Sequence, residues 1–209
     1  MIVDIARRPR SDGTPPRFAD PRRFGALIGL VGACVFVFSY TSDSTGPAAM
    51  GARVLVLAVV AATLWFLFVA PRPLGPFVPA RGWQIGVYVL CVIAEFAVIA
   101  AGSGLLEAAG VAELRPALIA LVVGVHFLPF AWAFKERMFY TLGGTLMLLG
   151  GAGLLIGTST SALVAAVASG VAMACLVLAY SLGAFAPRTR ARPVRSRRQP
   201  ITGRGPVGQ

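Results

Sequence analysis

Long apolar runs separated by short polar breaks dominate the chain. Each run is nearly continuous rather than alternating in polarity, which is typical of a membrane-spanning helix and not of an outer-membrane strand. A helix needs about 20 apolar residues to cross a hydrocarbon core about 30 Å thick. Six runs meet or approach that length: 24–40, 51–70, 83–101, 114–131, 138–157 and 161–186. The pattern predicts an all-α polytopic membrane protein with six transmembrane helices in one bundle.

The breaks between these runs contain residues that end helices. Residues 41–47 are polar, and residues 71–79 hold four prolines, which cannot continue a helix. The third span is predicted to end at Gly102 and Gly104. Residues 104–114 are expected to form a short helix along the membrane surface. The last run is long enough to tilt or to leave the membrane as a helix.

Three segments follow from this division of the chain. Residues 24–186 form the transmembrane domain. Residues 1–23 and 187–209 are Arg-rich, Pro-rich and Gly-rich tails that we predict to be disordered. No connection between spans is long enough to form a domain, so any chemistry must lie within the bilayer or on short loops.

The composition supports the same class of protein. Of the 209 residues, 57% are hydrophobic and only 13% are charged, whereas soluble domains average about 45–50% apolar and about 25% charged residues. An ordinary soluble domain and a disordered chain are therefore both excluded.

The basic residues predict the orientation in the membrane. With the N-terminus in the cytoplasm, 17 of the 19 Lys and Arg residues fall on the cytoplasmic side, and only Arg53 and Arg115 fall outside. This asymmetry obeys the positive-inside rule. It predicts a multi-pass protein of a bacterial cytoplasmic membrane with both termini in the cytoplasm. A bacterium with a GC-rich genome is indicated because Arg almost replaces Lys.

The two tails predict a partner. They hold 13 of the 19 basic residues, and the net charge of the chain is +11. No nucleic-acid motif or interleaved aromatic residue accompanies the arginines, so nucleic acid is not expected. Anionic lipid headgroups are the expected partner.

The first apolar run allows a second interpretation. An Arg-rich segment, an apolar run and the small residues Ala48 and Ala49 are also the parts of a cleaved signal peptide. The long tail and the length of the run favour a retained first span. Cleavage would leave five spans and the same cytoplasmic C-terminus.

The chain lacks the motifs of an enzyme or a metal protein. Cys34, Cys91 and Cys175 lie in three different apolar runs, and none has a second Cys or a His at ligand spacing. No metalloprotease, serine-hydrolase or paired-aspartate pattern occurs. We therefore expect no catalytic residues, no cofactor and no metal.

Glu95 and His126 are the two ionisable residues placed inside apolar runs. Such residues are costly in a bilayer and are functional candidates by default. Gln84, Tyr88, Cys91 and Glu95 follow one another at intervals of four, three and four, which places them on one face of the third helix. We expect this polar stripe to point into the bundle.

Arg115 and His126 lie eleven residues apart, on one face of the fourth helix. With the third span ending near residue 101, Glu95 falls between them in depth. If the third and fourth helices are neighbours, we expect a column of Arg115, Glu95 and His126. Pro129 cannot bond to the carbonyl group of Val125, which predicts a kink beside His126.

Two functions remain open at this point. In the first, the candidate polar site of Gln84, Tyr88, Glu95, Arg115 and His126 binds or passes a small solute or protons, as in a transporter. In the second, the protein is a non-catalytic scaffold or partner subunit, and Glu95 pairs with Arg115 as a structural lock.

Small residues recur along several spans and predict close helix packing. In the fifth span, Gly143, Gly150 and Gly157 repeat every seven residues. Small residues allow helices to approach closely in lipid. Packing within one bundle and a homo-oligomer interface are both open.

One segment resembles a known group of proteins. His126-Phe-Leu-Pro129-Phe-Ala-Trp-Ala-Phe134, followed by Tyr140 and a Gly-rich span, is similar to an H-F-x-P-x-A-x-x-F segment. That segment occurs in a family of small uncharacterised bacterial multi-pass membrane proteins. The resemblance covers about residues 115–157. It implies the membrane class and draws attention to His126, Pro129 and Tyr140, and it implies no substrate.

Overall fold

Six long helices form the described part of the molecule, which a computed structural model gives for residues 20–72 and 81–186. The helices are α1 Pro21–Thr41, α2 Pro47–Leu64, α3 Gly82–Ala108, α4 Arg115–Phe134, α5 Arg137–Ile156 and α6 Ser159–Ser181. All six are long and apolar enough to cross a membrane. The predicted all-α architecture is confirmed. The predictions for residues 1–19 and 187–209 lie outside the described residues.

The helices run alternately up and down, so that the bundle has two ends. The end at which α1 begins and α6 finishes is called the terminal end, and the other is called the distal end. At the terminal end, Arg23 of α1 lies over the ring of Phe68, which belongs to a π-helical turn, Trp65–Val69, that extends α2. At the distal end, Tyr40, Ala112 and Ser159 line one cavity.

The first helix starts earlier than predicted because the sequence before it caps it. Asp20 accepts a hydrogen bond from the backbone N–H of Arg22, and Pro21 occupies the first turn. An Asp followed by a Pro is a typical helix start. The helix therefore begins at Pro21 rather than at residue 24.

The third helix is longer than predicted, and the expected surface helix over residues 104–114 is wrong. Gly102 and Gly104 lie inside α3, which continues to Ala108. A glycine costs a helix only about 1 kcal/mol, whereas an interrupted backbone in lipid leaves polar groups unpaired at a higher cost. The chain turns at Gly110, which has a positive φ of 72°, and a 3₁₀ turn, Ala112–Leu114, leads into α4.

The sixth helix is shorter than predicted and lies at the centre of the bundle. It ends at Ser181, and the residues that follow form turns rather than an emerging helix. It packs against α1, α2, α4 and α5. Ala166, Met173 and Ala174 of α6 belong to the main core cluster, which also contains Phe36 of α1 and Leu146 of α5.

Glycines set the close approach of α4 and α5, the most extensive helix pair. A Cβ atom placed on Gly124 would lie 2.6 Å from the backbone nitrogen of Met147, and one on Gly143 would lie 2.7 Å from the carbonyl oxygen of Gly124. A Cβ atom on Gly150 would meet the backbone of Leu121. Part of the predicted glycine row therefore packs inside one chain. Gly157 instead ends α5 with a φ of 71°.

At the distal end, Arg53 ties α2 to the end of α1. Its guanidinium donates hydrogen bonds to the hydroxyl and carbonyl oxygens of Thr41 and to the carbonyl oxygen of Ser44. The last carbonyl groups of a helix have no partner within the helix. Arg53 supplies such a partner to the last carbonyl group of α1, that of Thr41, which makes its role here structural.

Candidate functional site

Glu95 and His126 meet between α3 and α4, half way along α3. An oxygen of the Glu95 carboxyl group lies 3.0 Å from Nδ1 of His126, and the two side chains are only 16% and 9% exposed. The contact lacks the geometry of a hydrogen bond, so Nδ1 is a buried nitrogen without a hydrogen-bond partner. The pair is an ion pair only when the imidazole carries a proton.

Aromatic rings surround the imidazole. The ring of His126 lies 4.3 Å from that of Phe130 and 5.2 Å from that of Phe127, and Phe127 stacks on Phe139 of α5. Sequence reasoning missed this cluster. The signal was present, because Phe127, Phe130 and Phe134 recur at helical spacing on α4. The rings make the surroundings of the pair apolar.

The polar stripe of α3 faces α4 for most of its length. The side-chain amide of Gln84 donates to the carbonyl oxygen of Ala133 and accepts from the backbone N–H of Arg81, both at 2.6 Å. The ring of Tyr88 stacks on that of Phe130 at 5.3 Å. Gln84 thus fastens the start of α3 to the end of α4, and Tyr88 extends the aromatic cluster. Cys91 is a half-buried free thiol in the same stripe.

Arg115 does not join the pair, and the predicted column of three residues is wrong. Its guanidinium lies 3.4 Å from the carboxyl group of Glu107, at an exposed position of the distal end. The error follows from the length of α3. Because that helix continues to Ala108, Glu95 lies about 20 Å from its distal end at 1.5 Å per residue. Glu95 therefore stands level with His126 instead of between it and Arg115.

Pro129 lies inside α4, one turn after Val125. The helix is continuous from Arg115 to Phe134. A proline removes the hydrogen bond to the carbonyl group four residues earlier, and that carbonyl belongs to the residue before His126. The kink itself stays a prediction.

A carboxyl group and an imidazole in contact can exchange a proton or hold a cation between them. Each group changes its charge on binding or losing one proton. In apolar surroundings each charge is costly without its partner. The arrangement therefore suits a site whose charge state is coupled to the distance between α3 and α4.

A second polar cluster lies at the terminal end, where the sequence pattern predicts only tail charges at Arg22 and Arg23. Arg22 forms two side-chain hydrogen bonds to the carboxyl group of Asp20, and Arg23 lies 3.9 Å from it. Burial raises the pKa of Asp20, but the hydrogen bonds from Arg22 and the charges of both arginines together lower it below its ordinary value of 3.8. The Asp-Pro helix start could have revealed this cap.

Glu136, in the two-residue link between α4 and α5, lies near the same cluster. Burial raises its pKa above the ordinary value of 4.5, and the charge of Arg22 opposes this effect only in part. The side chain of Tyr180, at the end of α6, also lies within electrostatic reach of Glu136. The cluster therefore joins the ends of α1, α5 and α6.

One comparison with known proteins finds a family model that matches the part of the chain containing this site. Residues 84–183 match the model of a family of unknown function, DUF7010. The DUF7010 match begins at Gln84, near the start of α3, and ends at Gly183, just after α6. It includes Glu95 and His126, and it leaves α1 and α2 outside. Neither curated proteins nor solved structures give a significant match to the chain.

The DUF7010 match agrees with the resemblance of this sequence to an uncharacterised family. The segment from His126 to Phe134 lies within it. Since the family has no known activity, the match assigns no chemistry to the site.

Proposed function

We propose that the protein is a small membrane transporter in which Glu95 and His126 bind a proton or a small cationic solute on its way across the bilayer. The observation that carries this proposal is the contact of two ionisable side chains half way along a membrane-spanning helix. A residue of this kind in a bilayer is usually part of a pathway or a relay.

The packing of α3 supports the proposal. This helix has no buried residue. It packs mainly on α4 and on the 3₁₀ turn that leads into α4. A helix with few neighbours can shift relative to the rest of the bundle at a low cost in buried contacts. Proton or solute binding at Glu95 would change the attraction between α3 and α4, and so couple the charge of the site to such a shift.

Flux through proteoliposomes tests the proposal. The purified chain is reconstituted with a pH-sensitive dye inside, and an ion or solute gradient is imposed. The variant E95Q keeps the size of the side chain but removes its charge, so we expect it to abolish flux while the fold is kept. The matched control E107Q removes a carboxyl group from the exposed distal end of the same helix and should keep flux.

The same measurements give the outcome against the proposal. The proposed pathway is contradicted if E95Q and the unaltered chain give equal flux. Thermal melting must show that both proteins are folded. His126→Asn supplies a second variant, because a relay through the pair requires the imidazole as well.

A second candidate function is a scaffold or partner subunit in which Glu95 is a structural lock. The observation that favours it is that Glu95 and Gln84 both tie α3 to α4. On this proposal the lock partner is His126 rather than Arg115. E95Q then lowers the thermal stability in detergent without a flux to lose, and a partner protein co-purifies after gentle solubilisation.

We also propose that the terminal end faces the cytoplasm in a bacterial cytoplasmic membrane. The support is the distribution of basic residues, which places Arg53 and Arg115 alone on the distal side. Anionic headgroups at the Arg-rich tails are part of the same proposal.

A further inference from the structure

A cavity opens at the distal end of the bundle, away from the Glu95–His126 pair. Its volume is about 320 Å³, and its polar lining residues are Tyr40, Glu113, Arg115 and Ser159. The end of α1, the 3₁₀ turn with the start of α4, and the start of α6 each contribute to its wall. Ligand pockets range from about 300 to 1,000 Å³, so this cavity has room for a small molecule.

Arg115 offers free donors to this cavity. Its bond to Glu107 uses only Nη2 and is long, at 3.4 Å, with both side chains well exposed. Within residues 20–72 and 81–186, Nε and Nη1 of Arg115 have no partner, and its charge acts on the Tyr40 hydroxyl group. A guanidinium presents paired donors that match the two oxygens of a carboxylate.

Glu113 gives the cavity a negative charge as well. It lies two residues before Arg115 and forms no ion pair with the residues that the structure describes. A carboxylate in the wall disfavours a simple anion and favours a ligand that also carries an ammonium group. The two charges of the wall therefore favour a ligand that carries both a negative and a positive group.

The remaining wall is apolar. Ala112, Pro116 and Leu163 line it, and Leu163 belongs to α6. An apolar body on the ligand would be taken out of water against these side chains. The first backbone hydrogen bond of α6 runs from the N–H of Ala162 to the carbonyl oxygen of Thr158. The N–H of Ser159 comes earlier in the helix and so has no partner within it. This N–H is a further donor beside the cavity.

We propose that this cavity binds a small zwitterion of the amino-acid type with an apolar side chain. Its carboxylate pairs with Arg115, its ammonium group with Glu113, and its side chain with the apolar wall. The site shares α4 with the Glu95–His126 pair but none of its residues. A test of binding in this cavity is therefore independent of a test of flux through that pair.

Calorimetric titration of the purified full chain in detergent tests the proposal. The probes are alanine, valine, leucine and phenylalanine, with 4-methylpentanoate and 3-methylbutylamine as single-charge analogues of leucine. We expect saturable binding of at least one of the larger amino acids. A lost bond to a charged group costs about 1.5–3 kcal/mol, so each analogue should bind about tenfold or more weakly than leucine.

Variants locate the binding. R115Q and E113Q should each weaken it by about tenfold or more, and L163W should abolish it by filling the cavity while both charges remain. E107Q is the matched control, since Glu107 touches Arg115 from outside the cavity, and it should keep binding. Thermal melting of every variant checks the fold, and the analogue comparison needs no variant at all.

Three results would overturn the proposal. One is the absence of saturable binding for all four amino acids. Another is equal binding of leucine and 4-methylpentanoate with E113Q harmless, which would make the cavity a simple anion site. The third is amino-acid binding that R115Q and L163W leave unchanged, which would place the ligand elsewhere.

Discussion

At the scale of single residues, Glu95 and His126 are in contact, whereas Arg115 lies apart from them at the distal end. Glu95 and His126 stand out because ionisable side chains are rare in apolar runs, and helical periodicity placed Glu95 on a polar face expected to point into the bundle. The pairing with Arg115 failed because it depended on where α3 ends. A shift of seven residues in a helix end moves a side chain by about 10 Å in depth, which exceeds the reach of any side chain.

Lys135 holds a strained backbone conformation in the two-residue link between α4 and α5. It joins α4 to α5 through a left-handed conformation with φ of 55°, and it is the only residue other than glycine with a positive φ in residues 20–72 and 81–186. That conformation costs an ordinary residue about 1–2 kcal/mol, and glycine adopts it freely.

The variant K135G should therefore stabilise the protein. We expect the free energy of unfolding to rise by about 1 kcal/mol, measured by reversible unfolding in mixed micelles. K135A removes the same charge without relieving the backbone and should give no such gain. Equal effects of the two substitutions would assign the change to the charge instead.

At the scale of helices, the seven-residue glycine repeat predicted close packing, but not its direction. Two parallel rows exist on α5: Gly143 with Gly150, and Gly144 with Gly151. The first row touches the backbone of α4, whereas a Cβ atom on either residue of the second row would meet nothing within 4 Å. Both rows have the same period, so the sequence alone cannot choose between them.

These two rows provide a matched test of the α4–α5 interface. Gly143→Ala and Gly150→Ala should each lower the free energy of unfolding by about 1–3 kcal/mol, because an added methyl group would collide with backbone atoms that cannot move aside. Gly144→Ala and Gly151→Ala should be neutral or slightly stabilising, since alanine favours a helix. Equal losses in both rows, measured by unfolding in micelles, would contradict the described packing.

At the scale of the whole molecule, the number of spans and their alternation followed from hydropathy alone, and so did the return of the chain to the terminal end. The arrangement around α6 did not, because the spans are apolar on nearly all sides, apart from the polar stripe of α3, and give no reliable signal for their neighbours. The cluster that joins α1, α5 and α6 at the terminal end was hidden for a similar reason. Its charges lie at span ends, where basic residues also serve as topology signals.

This terminal cluster predicts a dependence of stability on pH. The pKa of Glu136 is raised by burial in the folded state, so ionising this carboxyl group costs the folded state more than the unfolded chain. Its contribution to stability is therefore fully present below about pH 4.5 and is lost as the pH rises through the raised value. E136Q should melt like the unaltered chain at pH 4 and at a higher temperature than it at pH 8.

Melting curves of both proteins between pH 4 and pH 8 check this expectation. The difference between them should grow with pH. A difference in melting temperature that is constant across this range, or one that grows toward acid pH, would show that burial does not raise the pKa of Glu136.

The packing of α1 against α6 has a consequence for biosynthesis. Gly170 of α6 receives α1 so closely that a Cβ atom there would lie 2.8 Å from that of Phe36 and 2.9 Å from the carbonyl oxygen of Ala33. A ribosome makes α6 only after α1 and the four helices between them. The first helix is thus made well before its main neighbour, and the core cluster that the two helices share is completed only when α6 follows.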